Sequence, residues 1–517
     1  MRRLTALSLL VLTSLGCVHS LNTSQTHYAA PEPASPSDPV ASLAREVAAR
    51  FADPDFAHAH WGVLIQSLDT GRVWYEQNAN RLFMPASNEK IPTTAAALLS
   101  LGPDFRFDTY VCRDGEIRGE TLQGNLVVFG NGDPTLYTRF LEDPRDVFRR
   151  WAGELKEMGI TRIAGDVIGD DNTFDDEHLG YGWAHDGLSS WYSAEVGPLQ
   201  FNENYVDFTI TPPASMGGEA VIEGNVPSAF YQIVNDLEVV PAGVNSASFR
   251  RPQGSNTITV TGTAVAGSRP FVRTASITNP TLFYVTVLAE VLREEGIAID
   301  GEARDCDAIA GWEHSARDFP VLCHHESPPL AEIIAVLMKR SQNMYAETMV
   351  RTMGWLATGL GSFEAGRTEV ERVLADLGVG PGTYAFMDGS GLSRYNYLSP
   401  RQIVDILRGM RRTPVWEPWI NSFPIAGVDG TIARRMTGTP AQGNCRAKTG
   451  TISNVRALSG YVSTADGEQL VFSFIVNGYI LPTRSAESIQ DDVVVMLASF
   501  DRRGPNVSGA AVSVEAE

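Results

Sequence analysis

The apolar positions fall into blocks of different period along the chain. Residues 40–51 carry them at helical spacing and predict a short helix. Residues 61–67 and 72–76 alternate instead, on either side of Asp69-Thr70-Gly71, and predict a β-hairpin. Residues 95–101 are rich in Ala and Leu and close on Gly102-Pro103, as a buried helix does. From about 110 to 310 short β-like runs, such as 124–130 and 257–260, are punctuated by Gly, Asn, Asp and Pro. This reads as one or two separate β-rich modules. Residues 328–353 return to one helical period. Residues 456–462 and 469–476 form a second hairpin about Ala465-Asp466-Gly467, and 485–499 predict a last amphipathic helix. The strands at the two ends of the chain are placed to share one sheet, with the β-rich middle inserted. The expected division is a main domain of 41–109 and 311–503, an insert of 110–310, and a frayed tail of 504–517.

The first residues have another character. Arg2 and Arg3 precede an apolar run, Leu4 to Leu15, that is too short to span a bilayer, as in an export signal over residues 1–20. Two exits fit. Leu15-Gly16-Cys17 resembles a lipobox with Cys17 as the lipidated residue, although Ser14 stands where Leu is usual. Cleavage after Val18-His19-Ser20 fits equally. Residues 21–40, rich in Pro, Ala and Ser, read as a linker. Either exit places the folded part outside the cytoplasm, in the periplasm or cell envelope.

Composition narrows the classes. With 517 residues, 43% hydrophobic and 20% charged, the chain is globular and long enough for two or three domains. A formal net charge of -20 without a basic run excludes nucleic acid as an expected partner. The cysteines beyond Cys17 are Cys112, Cys306, Cys323 and Cys445, of which Cys306 and Cys323 are a candidate pair in an oxidising compartment. Cys323-His324-His325 lacks a second ligand cluster, and no HExxH occurs, so neither a metal nor any other cofactor is expected.

Lysine is the informative residue. Lys and Arg together number 41, yet only four are lysines: Lys90, Lys156, Lys339 and Lys448. Arginine serves wherever a generic positive charge is wanted, so the lysines are candidates for giving up a proton, which arginine does not do. Lys156 lies among glutamates on a predicted helix and reads as an exposed pair. Lys90 closes Ser87-Asn88-Glu89-Lys90. A three-residue helical step returns its amine to the Ser87 hydroxyl, which is a poor nucleophile until a base takes its proton. Pro92 lies early in the same helix, where it costs little in a first turn though it is slightly awkward. Ser341-Gln342-Asn343, two residues after Lys339, offers a hydroxyl and an amide on a predicted helix. Lys448-Thr449-Gly450-Thr451 precedes the last hairpin, where Gly450 admits a substrate backbone and Lys448 with Thr449 can hold a carboxylate. Each motif alone is common.

Together and in this order they form the three-part signature of penicillin-binding proteins and class A β-lactamases. The sequence then resembles one family in particular, the D-alanyl-D-alanine carboxypeptidase/endopeptidases of the penicillin-binding protein 4 (DacB) kind. The resemblance runs from about Trp61 to Val476. It includes Pro85-Ala86-Ser87-Asn88-Glu89-Lys90, Gly130-Asn131-Gly132-Asp133-Pro134-Thr135-Leu136 and the segment from Ile168 to Asp175. Asp388-Gly389-Ser390-Gly391-Leu392-Ser393-Arg394 and Ala426-Gly427-Val428-Asp429-Gly430-Thr431 belong to it as well. The long separation of the first two motifs fits this subgroup and not a β-lactamase.

The resemblance implies an α/β (α+β) fold, the penicillin-recognising serine hydrolase, with a five-stranded antiparallel sheet, helices, and two smaller β-rich inserted domains. It implies Ser87 as acylated nucleophile, Lys90 as its base, Ser341 with Lys448 as proton relay, and Asn343 as a substrate-backbone contact. Thr449 and Thr451 would hold the terminal carboxylate about Gly450, with the Ser87 and Thr451 N–H groups as oxyanion hole. Arg394, Asp170 and Phe174 would receive the charged end of a diaminopimelate side chain. The implied partners are peptidoglycan stem peptides and cross-links, with β-lactams as covalent inhibitors. Gln342 departs from the family's usual Asp.

Three rivals stand beside this reading. A β-lactamase would need a base for its deacylating water, and none is identifiable. A catalytically silent scaffold that binds wall fragments is opposed by Ser87, Lys90 and Lys448 in so lysine-poor a chain. A Ser-His-Asp hydrolase finds no GxSxG and no histidine in a motif block.

Overall fold

The computed structural model describes residues 38–312 and 318–504. The expectations for the export signal, Cys17, the linker up to residue 37 and the tail from 505 lie outside these residues. The two ends of the chain build one antiparallel sheet, in the order Arg446–Ile452, Val455–Ser463, Gln469–Asn477, His60–Ser67, Val73–Gln77. Strand His60–Ser67 is buried on both faces beyond His60 because helices cover both. Leu64, with Ala457, Val471 and Ile475, packs on helices Lys90–Ser100, Asn343–Thr358, Phe363–Asp376 and Pro400–Met410. Val63 and Ile65, with Leu458, Phe472 and Phe474, face helices Pro39–Phe51 and Thr483–Ser499. This period of two sends alternate side chains into two cores. The α/β fold that the resemblance implies is the one found.

The middle of the chain carries three further sheets. The largest has seven strands, among them Asp108–Arg118 and Thr121–Gly130, and two three-stranded sheets follow it. Helices Asp146–Glu157 and Pro280–Glu294 fill a core of their own around Trp151, Phe201 and Phe283. The expected limit of the insert at residue 310 falls short of its sheet. Strand Val321–Glu326 pairs antiparallel with Asp108–Arg118 and is the edge of the large sheet.

Local geometry corrects two other expectations and places Pro92 in a first turn. Residues 328–353 are not one helix. Leu330–Arg340 ends where Ser341 turns left-handed (φ 60°), and Asn343–Thr358 begins after Gln342. The four described cysteines are buried and free, so Cys306 and Cys323 are not bridged. Pro92 is the third residue of Lys90–Ser100, where its missing N–H has no intrahelical partner to lose.

Candidate active site

Ser87 sits in a tight 3-10 turn, Ala86–Glu89, immediately before helix Lys90–Ser100. Ala86 takes a left-handed φ of 46°, a conformation of some cost for a residue with a Cβ, and this turns the serine out of the helix line. Strand Arg446–Ile452 presses on the same turn. A Cβ added at Gly450 would lie 2.6 Å from the Pro85 carbonyl oxygen and 3.2 Å from the Asn88 nitrogen. Only glycine lets strand and nucleophile approach so closely.

Lys90 is fully buried. Its Nζ lies 3.0 Å from Ser87 Oγ, 2.6 Å from Asn343 Oδ1 and 2.6 Å from the Ser390 carbonyl oxygen. The last two can only accept. A neutral amine has two N–H bonds and one lone pair, so these acceptors take both hydrogens and the lone pair faces the Ser87 hydroxyl. Burial lowers the Lys90 pKa to about 7, against the opposing pull of Asp388, Glu347 and Glu89. The amine is therefore free to act as base near neutrality.

A second lysine stands across the cleft. Lys448 Nζ donates to Ser341 Oγ at 2.8 Å and to the Thr449 carbonyl at 2.8 Å. Burial, then Lys90 and Arg456, holds Lys448 well below the usual lysine range. The break at Ser341 aims its hydroxyl into the cleft while Asn343, the first residue of the next helix, reaches Lys90. Thr449 Oγ1 donates to Thr431 at 2.8 Å, and Arg456 donates to Thr451 Oγ1 and pairs with Glu487. Ser87, Ser341, Asn343, Thr431, Thr449, Thr451 and Arg456 line one cleft of about 930 Å³.

Arg394 lines it too, with its guanidinium donating to the Ser453 carbonyl at 3.1 Å. Asp170 and Phe174 do not. Asp170 ends a buried strand of the large sheet, and its carboxylate accepts from Asn172. Phe174 is buried against Gly132 and Gly361, where insert meets helix pair. The insert instead reaches the cleft through the irregular segment 182–193, which places Asp186, Trp191 and Tyr192 on its wall. No motif marks these residues, and only the path of the chain brings them there.

Gln342 also has a physical role. Its Nε2 donates to the buried Glu203 of the insert, which Tyr345 Oη and Arg139 approach at 2.9 and 2.7 Å. An aspartate could not donate to that carboxylate. Lys339 pairs with Asp429, and Lys156 bonds the Glu295 carbonyl at 2.9 Å, so neither serves the cleft.

Comparison with known proteins follows the same lines. The D-Ala-D-Ala carboxypeptidase 3 (S13) family model matches residues 43–500. A D-alanyl-D-alanine carboxypeptidase of Actinomadura sp. is 34% identical over 89% of this chain and 85% of its own length. The D-alanyl-D-alanine carboxypeptidase DacB of Haemophilus influenzae is 28% identical over 81% and 85%. The solved structure of penicillin binding protein 4 (dacB) from H. influenzae superposes with a TM-score of 0.75 at 25% identity, covering 89% of this chain and 99% of that one.

Proposed function

The chain belongs to the D-Ala-D-Ala carboxypeptidase 3 (S13) family, and on that premise we propose that Ser87, Lys90, Ser341, Asn343 and Lys448 are its catalytic unit. The enzyme is a serine-type D-Ala-D-Ala carboxypeptidase/endopeptidase acting on peptidoglycan peptides. The observation that carries the assignment is the three-point hold on Lys90, which leaves its lone pair for Ser87.

In this reading Lys90 takes the Ser87 proton as Oγ attacks the D-alanyl carbonyl carbon. The Ser87 and Thr451 N–H groups receive the oxyanion, each worth a few kcal/mol, about 3. Ser341, backed by Lys448, delivers a proton to the leaving D-alanine nitrogen, and water then hydrolyses the ester. Thr449 and Thr451 meet the terminal carboxylate about Gly450, with Arg456 behind Thr451 adding positive charge. β-Lactams present a strained amide to the same groups and acylate Ser87. The test is release of D-alanine from an acyl-D-alanyl-D-alanine peptide. Ser87→Ala should abolish it without change in thermal stability, and residual release by that variant would contradict the assignment.

Substrate choice follows from the cleft wall. Asp186 in place of Asp170, with Arg394, supplies an acid and a guanidinium to the ammonium and carboxylate of a diaminopimelate side chain. The leader-like residues 1–20 support a site of action in the periplasm or cell envelope. No helix among the described residues is long and apolar enough to cross a membrane, and attachment through a lipid on Cys17 is tested by the mass of the mature N-terminal peptide.

A further inference from the structure

The insert touches the groups that hold the general base as well as the cleft. Trp183 Nε1 donates to Asp388 Oδ2 at 2.8 Å, and the Tyr192 carbonyl accepts from Asn343 Nδ2 at 2.7 Å. These two bonds stand behind the two acceptors that fix Lys90, the Ser390 carbonyl and Asn343 Oδ1. Asp388 is fully buried and gathers the turn around itself. Its carboxylate accepts from the N–H groups of Gly391 and Ser393 at 2.7 Å each, from Asn396 Nδ2 at 2.6 Å and from the Ser390 hydroxyl at 3.2 Å. Glu347 holds the next part of the same turn, accepting from Gly389 N at 3.2 Å and Ser390 N at 2.9 Å. The turn has no slack. Gly391 has φ 81°, and a Cβ there would lie 1.9 Å from the Ala86 carbonyl oxygen, beside the nucleophile.

We propose that Trp183 is a positioning residue for the reaction: its indole N–H fixes the Asp388 carboxylate, and through that turn the Ser390 carbonyl that orients Lys90 toward Ser87. The inserted segment thereby completes the base while forming the substrate wall. This rests on Lys90 being the base of Ser87 and deepens that reading. The N–H matters more than the bulk. Gly182 and Ala184, on either side of Trp183, line the cleft, while the indole N–H turns to Asp388. A buried carboxylate that loses one donor rotates toward its remaining ones, and here two of those are backbone N–H groups of the turn that carries the Ser390 carbonyl. A small turn of that carbonyl releases one N–H of Lys90 and lets the lone pair leave the Ser87 direction.

The test replaces Trp183 by Phe and, as an isosteric change that removes only the N–H, by β-(3-benzothienyl)alanine. Acylation by a fluorescent penicillin is followed against pH and concentration, separating the dissociation constant of the first complex from the acylation rate constant. Peptide turnover is measured with and without a charged side chain. Both variants should keep the dissociation constant within about twofold and lose about tenfold in acylation rate, equally on both peptides. The ascending pH limb should move, because Glu89, Glu347 and Asp388 face Lys90 from their separate elements and Lys448 from the strand opposite. Wild-type acylation with an unmoved limb in the benzothienyl variant would overturn the proposal. So would a loss confined to the side-chain-bearing peptide, which would make Trp183 a wall of the pocket. Failure of the underlying reading looks different: Ser87→Ala would still be labelled by penicillin, or the wild type would show no ascending limb.

Discussion

Replacing Lys90 by arginine keeps the positive charge and removes the base. At its ordinary value of 10.5 a lysine is free amine in roughly one molecule in three thousand at pH 7, whereas at about 7 it is free in roughly half. Burial of Lys90 therefore raises the supply of base about a thousandfold. A guanidinium stays protonated throughout the working range, so Lys90→Arg loses that supply entirely. It also brings a planar fork to a pocket shaped for three contacts about one nitrogen. Acylation should fall by about a thousandfold or more, within the range of a lost general base and its misplaced contacts. The assay is stopped-flow acylation by a fluorescent penicillin from pH 5 to 10. The wild type should show an ascending limb centred near 7, and Lys90→Arg a flat, near-zero profile. Acylation by Lys90→Arg within about tenfold of wild type, or a wild-type limb near 10.5, would refute the reasoning.

Arg394→Ala and Asp186→Asn should each lower kcat/KM on diaminopimelate-bearing peptides by about tenfold or more, the loss of one charge-assisted contact. Turnover of simple acyl-D-alanyl-D-alanine should be nearly unchanged, and equal losses on both substrates would show a structural role. Gly391→Ala places a Cβ against the Ala86 carbonyl at a left-handed φ, so it should cost on the order of 2–4 kcal/mol and depress acylation, read from denaturant unfolding and penicillin labelling. Glu89 is fully buried, and burial, then Asp388 and Glu347, push its carboxyl well above the usual 4.5. The folded state thus holds this proton longer than the unfolded chain. Its contribution is fully present below 4.5 and is lost as pH rises toward the folded value. Glu89→Gln should accordingly raise the melting temperature more at pH 8 than at pH 5, and an equal effect at both would contradict the assignment of charge.

Much of this was legible in the sequence because it depends on local spacing. Ser87 and Lys90 are one helical step apart, and the paired hairpins at the chain ends declare themselves by alternation. The break at Ser341 was not legible, since Leu330 to Met353 keeps one apolar period across it and nothing local forces the left-handed turn. Asp170 and Phe174 were misplaced for a different reason. A short block in the insert resembles the family's, but which insert residue faces the cleft depends on the path of 177–196, which has neither period nor motif. The same holds for Trp183 and the Ser390 carbonyl. Their roles arise from contacts between segments some two to three hundred residues apart and have no signature in either.

The central claim is that one serine, Ser87, is acylated by way of Lys90. The most direct measurement is intact-protein mass spectrometry after incubation with benzylpenicillin, followed by peptide mapping. The account predicts a single stoichiometric adduct on the peptide containing Ser87, absent from Ser87→Ala and strongly slowed in Lys90→Arg. An adduct on any other residue, or no adduct on folded wild-type protein, would contradict it.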